Sequence, residues 1–190
     1  MSNLTLTSLS NIKPLKTERL YISPIASDDT DDFYHAVIDS LDNLLPWMVW
    51  TKDPFDRDYA QQLVKSAIDL QSKDLALQFC LRYQDQMVGM ISLNAIEWNK
   101  GLSDIGYWVR SAHQKKGYIL ESVKALLGLC FNDFNFQSLS IRCAQKNSES
   151  QKIPQKLGFK LDFKFPDLIS NKKNEISYFY SLHKNDYFSS

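Results

Sequence analysis

The sequence predicts an α/β domain with one mixed, mostly antiparallel, twisted sheet and helices on its faces. Runs of alternating apolar and polar residues predict strands, and these runs interchange along the chain with runs of helical period. Three strand-like runs follow one another between residues 75 and 110, which indicates an antiparallel meander. Hydrophobic residues make up 44% of the 190 residues, enough for one sizeable core. We therefore expect a single domain over residues 1–190, with residues 1–14 as a loosely ordered N-terminal tail.

The first part of the chain predicts one strand and two helices. Residues 19–25 alternate as a half-buried strand does. Ser27 is a favourable N-cap, and apolar residues follow it at helical spacing up to Leu41. A second helix is expected from about Asp56, with an apolar stripe over residues 60–68.

The rest of the chain predicts the meander and then alternating helices and strands. Apolar side chains form one stripe on each predicted helix, and Gly158 suits the left-handed position after the second of them. The predicted elements are strands 75–83, 87–97 and 102–110, helix 117–134, strand 138–144, helix 148–157, and strands 159–165 and 175–182.

Composition excludes several classes of function. Lys plus Arg (22) balance Asp plus Glu (22), so no strong field favours nucleic acid or an anionic membrane. No apolar run reaches signal-peptide or membrane-spanning length. The three cysteines and three histidines fall in no disulfide or metal-ligand pattern. We expect a cytoplasmic protein without metal, membrane or nucleic-acid partners.

The junction from Gln114 to Ile119 leads from a strand into a helix. The first N–H groups of a helix lack intrahelical acceptors and carry the positive end of its dipole, so such a junction can bind a phosphate. Gly117 permits close approach of an anion, and Lys115 and Lys116 add positive charge. Alone, this short pattern more often marks an ordinary turn before a surface helix.

A second strand-to-helix junction begins at Asn147, a natural N-cap. Its simplest interpretation is a capped helix that packs Leu157 on the core. Pro154 is unusual there, because a proline two turns into a helix must free a carbonyl near Ser150 or kink the helix. That carbonyl is then available to water or to a ligand.

These two junctions, their order and their separation resemble the GNAT acetyltransferase superfamily, and more closely its RimJ/RimL branch of ribosomal-protein N-terminal acetyltransferases. The resemblance covers about residues 15–187. It rests on Leu45-Pro46-Trp47, Ile105-Gly106-Tyr107-Trp108-Val109, His113-Gln114-Lys115-Lys116-Gly117, Ile141-Arg142-Cys143-Ala144 and Asn147 through Phe159. It implies the GNAT fold with a splayed central strand pair, and acetyl-CoA as co-substrate.

The resemblance also implies where the coenzyme binds. The pantetheine arm would contact the backbone at Trp108 and Val109, Asn147 would approach its end, and Ser150 would lie near the thioester sulfur. The pyrophosphate would bind the loop formed by Gln114, Lys115, Lys116, Gly117, Tyr118 and Ile119.

Two residues depart from the superfamily pattern in this loop. Ile119 stands where the pattern has a small residue, and Lys115 stands where glycine is frequent. We therefore expect weaker, not absent, coenzyme binding.

The chemistry favours an α-amine as acceptor. Transfer from a thioester requires a neutral amine and stabilisation of the developing oxyanion. An α-amino group with a pKa near 8 is about one tenth neutral at pH 7, whereas a lysine near 10.4 is almost fully charged. We expect direct transfer to a primary amine, preferably the N-terminus of a ribosomal or other protein.

The resemblance places a catalytic carboxylate after Gly158, where Asp167 is the nearest match. Asp104 and Glu97, on the meander strands, are rivals for the base or for binding the substrate amine. Ser150 would protonate or solvate the coenzyme sulfur.

Trp47 and Trp50 resemble the wall of the acceptor cleft in this branch, although an aromatic loop that plugs the core is equally consistent. Two other functions stay open: acetylation of a polyamine or aminoglycoside, which a strongly acidic cleft would favour, and a non-catalytic CoA-binding domain. The protein is expected as a monomer or homodimer.

Overall fold

The structure is a computed structural model that describes residues 9–166 and 176–189. Within these ranges, the strands are β1 (Leu15–Lys16), β2 (Tyr21–Pro24), β3 (Leu77–Tyr83), β4 (Gln86–Glu97), β5 (Leu102–Val109), β6 (Ser138–Ala144), β7 (Lys160–Pro166) and β8 (Ile176–His183). The α-helices are α1 (Thr30–Ile38), α2 (Leu41–Leu44), α3 (Arg57–Ser72), α4 (Tyr118–Gly128), α5 (Ser148–Lys156) and α6 (Lys184–Ser189).

The described strands form one sheet in the order β1-β2-β3-β4-β5-β6-β8-β7. Strands β5 and β6 are parallel, and each other neighbouring pair is antiparallel. The meander β3-β4-β5 and the mixed, mostly antiparallel sheet are therefore confirmed. The parallel pair follows from the long connection through α4, since parallel neighbours cannot be joined by a tight turn.

Apolar side chains cover both faces of the sheet, as expected for a sheet flanked by helices on both sides. One core cluster joins the sheet to α4 and includes Leu126 and Phe131, and the other joins it to α1 and α3 and includes Phe33 and Val64. Leu9 is fully buried in the first cluster. The chain thus already packs into the core before Leu15, where the sequence predicts order to begin.

Local signals in the sequence account for most of the helices. Asp56 caps α3, and its carboxylate accepts the N–H of Tyr59 at 2.7 Å. The predicted first helix is divided into a 3-10 turn, α1 and α2, with the break at buried Ser40. The predicted helix 117–134 is α4 extended by a π-helical turn, because the N–H of Phe134 bonds the carbonyl of Leu129, five residues earlier.

The parallel pair at the centre of the sheet opens into a splay. Pairing between β5 and β6 runs from Leu102 opposite Ser138 to Ile105 opposite Ile141 and goes no further, although both strands continue. Beyond Ile105, the edge of β5 that faces β6 has no strand partner, so its backbone groups are available to a ligand. The predicted splayed pair is therefore confirmed.

Candidate active site

The loop between β5 and α4 presents a helix N-terminus to the splay. Lys115 and Gly117 both adopt left-handed backbone, with φ of 59° and 81°. The N–H of Glu121 bonds the carbonyl of Gly117 at 3.0 Å, so the N–H groups of residues 118–120 precede the first intrahelical bond. Such a terminus offers donors and a positive dipole to an anion.

The two departures from the superfamily pattern have different structural consequences. The Ile119 side chain is 8% exposed and belongs to the main core, so its bulk is largely accommodated away from solvent. Lys115 occupies a left-handed position that glycine adopts without strain and that costs an L-residue about 1–2 kcal/mol. Of these two atypical residues, Lys115 is therefore the one with a strained backbone conformation.

Arg19, which precedes β2, fastens this loop to the sheet. Its Nη1 donates to the carbonyl of Lys116 at 2.9 Å, and its Nε and Nη2 reach the Glu121 carboxylate at 2.7 and 2.6 Å. Glu121 also accepts the hydroxyl of Thr17 at 2.5 Å. The guanidinium carbon lies 4.9 Å from the centre of the Tyr118 ring. The conformation of the loop thus depends on contacts from outside it.

A cleft of about 460 Å³ extends from this loop along the splay; we call it the coenzyme cleft. Predicted coenzyme residues that line it are Trp108, Val109, Gln114, Lys115, Gly117, Tyr118, Ile119, Asn147 and Ser150. Lys116 does not line it. Lys146, Lys152 and Lys156 add positive charge that the sequence did not single out. The free helix terminus and the lysines fit a polyanionic ligand such as the coenzyme A pyrophosphate.

A second cleft, of about 360 Å³, lies toward α1 and α3; we call it the acceptor cleft. Trp47 and Trp50 both line it. The Trp50 ring also packs within 6.0–6.5 Å of the ring centres of Phe33, Phe55 and Trp108. The two interpretations of this aromatic loop are therefore compatible, because Trp50 belongs to the core cluster and forms cleft wall as well.

Within the described part of the chain, the charged side chains that line the acceptor cleft are Asp104 and Arg142, and they neutralise each other. The Asp104 carboxylate also accepts the hydroxyl of Ser140, which faces it across the β5–β6 pair. Both partners lie on β6, so the Asp104 carboxylate is held in place at the wall of the cleft.

The two clefts share the lining residues Trp47, Met48, Tyr107, Trp108, Asn147 and Ser150. The N–H of Ser150 donates to Asn147 Oδ1 at 3.2 Å, and its Oγ donates to the Tyr107 hydroxyl at 3.2 Å. Cys143 Sγ lies 3.3 Å from Ser150 Oγ. An acyl group carried in one cleft can meet an amine held in the other at this junction.

Burial affects the titratable groups at the junction. It raises the pKa of the Tyr107 hydroxyl well above its ordinary value, with a smaller contribution from Cys143. Burial likewise raises the pKa of the Cys143 thiol, although hydrogen bonds with Ser150 and Tyr107 oppose the shift. Both groups stay protonated near neutral pH. Cys143 therefore lacks the thiolate character of a nucleophile, consistent with direct transfer.

Two predicted residues are not brought into the clefts, and one cannot be placed. Glu97 lies at the far end of β4, where its exposed carboxylate pairs with Lys100 at 2.6 Å, outside the acceptor cleft. Lys116 is not among the residues that line the coenzyme cleft, and its carbonyl accepts a hydrogen bond from Arg19. Asp167 lies outside the described residues.

Sequence reasoning did not assign a role to Tyr107 or Arg142, although both lie in motifs that carry the family resemblance. In the strands, Tyr107 lies two residues after Ile105, and Arg142 lies two residues after Ser140, the partner of Asp104. The position of Arg142 beside Asp104 follows from the pairing of β5 with β6, and this pairing cannot be read from a single sequence.

Within residues 9–166 and 176–189, no group of three or more His, Cys, Asp or Glu side chains could hold a metal ion. The helices in these same ranges include none with the length and apolar character needed to cross a membrane.

Comparison with known proteins places this geometry among acetyltransferases. The family described as an acetyltransferase (GNAT) domain matches residues 19–160. The chain is 24% identical over 172 residues to the putative ribosomal N-acetyltransferase YdaF of Bacillus subtilis (strain 168), covering 90% of this chain and 94% of that protein. It is 23% identical over 146 residues to the ribosomal-protein-serine acetyltransferase of Escherichia coli (strain K12), covering 77% and 82%. A solved structure of RimL, a ribosomal L7/L12 α-N-protein acetyltransferase in complex with coenzyme A, has a TM-score of 0.85 at 18% identity, covering 92% of this chain and 99% of that one.

Proposed function

Since this chain belongs to the GNAT acetyltransferase family and is an acetyl-CoA-dependent N-acetyltransferase, we propose that its acceptor is the α-amine at the N-terminus of a protein or peptide. The observation that carries this proposal is the meeting of two clefts of different charge at Ser150 and Tyr107. The names of the two curated relatives, both of which refer to ribosomal acetyltransferases, support a ribosomal or other protein N-terminus.

The coenzyme cleft has hydrogen-bonding groups suited to the pyrophosphate and to the pantetheine arm of the co-substrate. The N–H groups at the start of α4 and the Lys115 side chain would bind the pyrophosphate, and the unpaired edge of β5 at Trp108 and Val109 would bind the pantetheine amides. When bound, acetyl-CoA supplies the acetyl group as an activated thioester. Asn147 and Ser150 then lie where the acetyl group leaves this cleft.

The charge of the acceptor cleft discriminates between acceptors. A polyamine or an aminoglycoside is a polycation, and its binding requires several uncompensated carboxylates. Of the described residues that line the cleft, Asp104 is the acidic one, and Arg142 already pairs with it. An α-amine needs no such field because about a tenth of it is neutral at pH 7. The aromatic wall of Trp47 and Trp50 offers a surface for a peptide.

Asp167 remains the proposed general base, and Asp104 is proposed to orient the amine. The pairing of Asp104 with Arg142 and Ser140 supports this division. An Asp167→Asn variant is expected to lose kcat and to recover part of it as the pH rises toward the pKa of the amine, because the neutral amine then needs no base. A pH profile that matches the native enzyme in shape and height would point to another base.

The decisive assay mixes the protein with acetyl-CoA and a panel of acceptors, and follows free-thiol release together with the mass of each acceptor. The panel contains unblocked peptides, the same peptides with blocked N-termini but a free lysine, polyamines and aminoglycosides. Acetylation of unblocked peptides alone is expected. Turnover confined to polyamines or aminoglycosides would refute the proposed acceptor. Calorimetric binding of acetyl-CoA without turnover of any amine would instead indicate a non-catalytic domain.

We further propose that residues 1–190 act as one domain in the cytoplasm, as a monomer or homodimer. The continuous sheet over the described strands supports the first part of this proposal. Light scattering after size-exclusion chromatography would measure the mass in solution, and a mass above that of a dimer would contradict it.

A further inference from the structure

Helix α5 contains a proline where a helix normally needs an N–H donor. Pro154 is buried in the second turn of Ser148–Lys156. In an α-helix, the N–H of residue 154 would bond the carbonyl of Ser150, four residues earlier, and proline has no N–H to donate. A carbonyl near the junction of two clefts is therefore released from the helix, and it needs another partner when water is excluded.

Tyr107 supplies that partner from the neighbouring strand. Its hydroxyl donates to the Ser150 carbonyl at 2.8 Å, across 43 residues of sequence. Tyr107 lies on β5 past the last residue that pairs with β6, so its side chain reaches α5 at the opening of the splay. The splay and the proline thus create this contact together.

The contact fixes the direction of a chain of hydrogen bonds. A tyrosine hydroxyl has one hydrogen, and Tyr107 gives it to the carbonyl, so its oxygen can only accept from Ser150 Oγ at 3.2 Å. The Ser150 hydrogen is thereby committed, and the Ser150 oxygen presents lone pairs to Cys143 Sγ at 3.3 Å. The donors run from the Cys143 thiol to Ser150 Oγ, to the Tyr107 hydroxyl and to the Ser150 carbonyl.

We propose that Tyr107 is a positioning residue that fixes the hydroxyl of Ser150, and that Pro154 sets the direction of the hydrogen-bond chain by freeing the Ser150 carbonyl. As a result, the Ser150 oxygen is held in one place and presents lone pairs at the junction of the clefts, where acetyl transfer would occur. The link to acetyl transfer rests on the proposed function, whereas the hydrogen-bond chain itself does not. Because burial raises the pKa of Tyr107, the phenol stays protonated and acts as a neutral donor.

The hydrogen-bond chain is tested first by the thermal stability of variants, which needs no assay of activity. Tyr107→Phe orphans the Ser150 carbonyl and is expected to lower the melting temperature by about 3–8 °C. In Pro154→Ala, the new N–H of residue 154 can bond the Ser150 carbonyl. When Tyr107→Phe is added to this variant, the melting temperature should therefore fall by less than half as much as it does in the native background. Equal losses in the two backgrounds would overturn the role of Pro154.

Tyr59→Phe is a matched control for this cycle. The Tyr59 hydroxyl also donates to a main-chain carbonyl, that of Trp50, at 3.0 Å, but it lies far along the chain from Pro154. Its effect on the melting temperature should therefore be the same with and without Pro154→Ala. If Tyr59→Phe showed the same rescue, the coupling would be a general effect of the alanine and the proposal would fail.

The functional part is tested by a second cycle with Ser150→Ala. Tyr107→Phe is expected to lower kcat by about three- to tenfold with the KM for acetyl-CoA unchanged, because it releases the Ser150 hydroxyl from its fixed direction. In the Ser150→Ala background, the same change should leave kcat unaltered. A further loss of kcat there would show that Tyr107 acts independently of Ser150. If the native protein acetylated no acceptor, the proposed function would fail. The stability measurements would still show whether the hydrogen-bond chain exists.

Discussion

Removal of Arg19 should weaken coenzyme binding although this residue lies outside the coenzyme cleft lining. Arg19→Ala deletes the 2.9 Å bond to the Lys116 carbonyl and the ion pair with Glu121. The loop then has to hold two left-handed residues, Lys115 and Gly117, without that support. We expect the loop to sample other conformations in the free protein, and the coenzyme to select the competent one at a cost in affinity.

The contacts set the size of this effect. Arg19 is 40% exposed on its side chain, so solvent screens its charged hydrogen bonds and the loss on removing them is moderate. We expect the Kd for acetyl-CoA to rise about five- to tenfold. The kcat at saturating acetyl-CoA should stay near the native value.

Isothermal titration with acetyl-CoA measures this change directly. Arg57→Ala is the matched control, because Arg57 also forms an ion pair, with Asp31 at 2.6 Å, but on the exposed surface of α3. Its Kd should equal that of the native protein. Native affinity in Arg19→Ala, or an equal loss in Arg57→Ala, would refute the argument that this residue organises the loop.

Three further predictions concern the same two clefts. Lys115→Gly should raise the melting temperature by about 2–4 °C, because glycine relieves the left-handed strain of about 1 kcal/mol, whereas Lys116→Gly should lower it; equal effects would contradict the strain. Asp104→Asn should raise the KM for a peptide acceptor about tenfold and leave the KM for acetyl-CoA unchanged, as judged by steady-state kinetics, and a rise in both would assign Asp104 a general structural role. The pKa of Glu121 lies below its ordinary value because hydrogen bonds from Thr17 and Arg19 outweigh the effect of burial. Its stabilising contribution is therefore present above the unfolded-state pKa of about 4.3 and is lost as the pH falls through the lower folded-state pKa, so the difference in melting temperature between Glu121→Gln and the native protein should shrink progressively below about pH 4.

Elements with strong local signals could be predicted from the sequence alone. Helix α3 is an example, since Asp56 is a typical N-cap and an apolar stripe follows it. The left-handed Gly158 after α5 is another. In contrast, strand β1 has two residues and helix α6 has six, and such short segments contain too few residues for a period to be recognised.

The site residues also differ in whether their positions follow from local sequence signals or from the fold. The helix terminus after Gly117 was predicted because the junction is local in sequence. Glu97 lies outside the acceptor cleft lining, and the pairing of β4 with β5 shifts between Asn94 and Glu97, where Ala95 has a φ of 48°. A bulge of this kind changes which strand residues face the cleft, and the alternation of the sequence does not reveal it. Asp104 lines the acceptor cleft, but its partner Arg142 belongs to a strand whose register is set by the fold.

The distribution of charge explains how a chain with no net charge can separate two substrates of opposite character. Among the residues that the structure describes, the coenzyme cleft contains four lysines, at positions 115, 146, 152 and 156, against Glu149 alone. The acceptor cleft contains the compensated pair of Asp104 and Arg142. A polyanion is therefore attracted to the first cleft, and an α-amine with a single charge meets no net repulsion in the second. Higher salt should accordingly weaken acetyl-CoA binding much more than peptide binding, and equal weakening of both would contradict this separation.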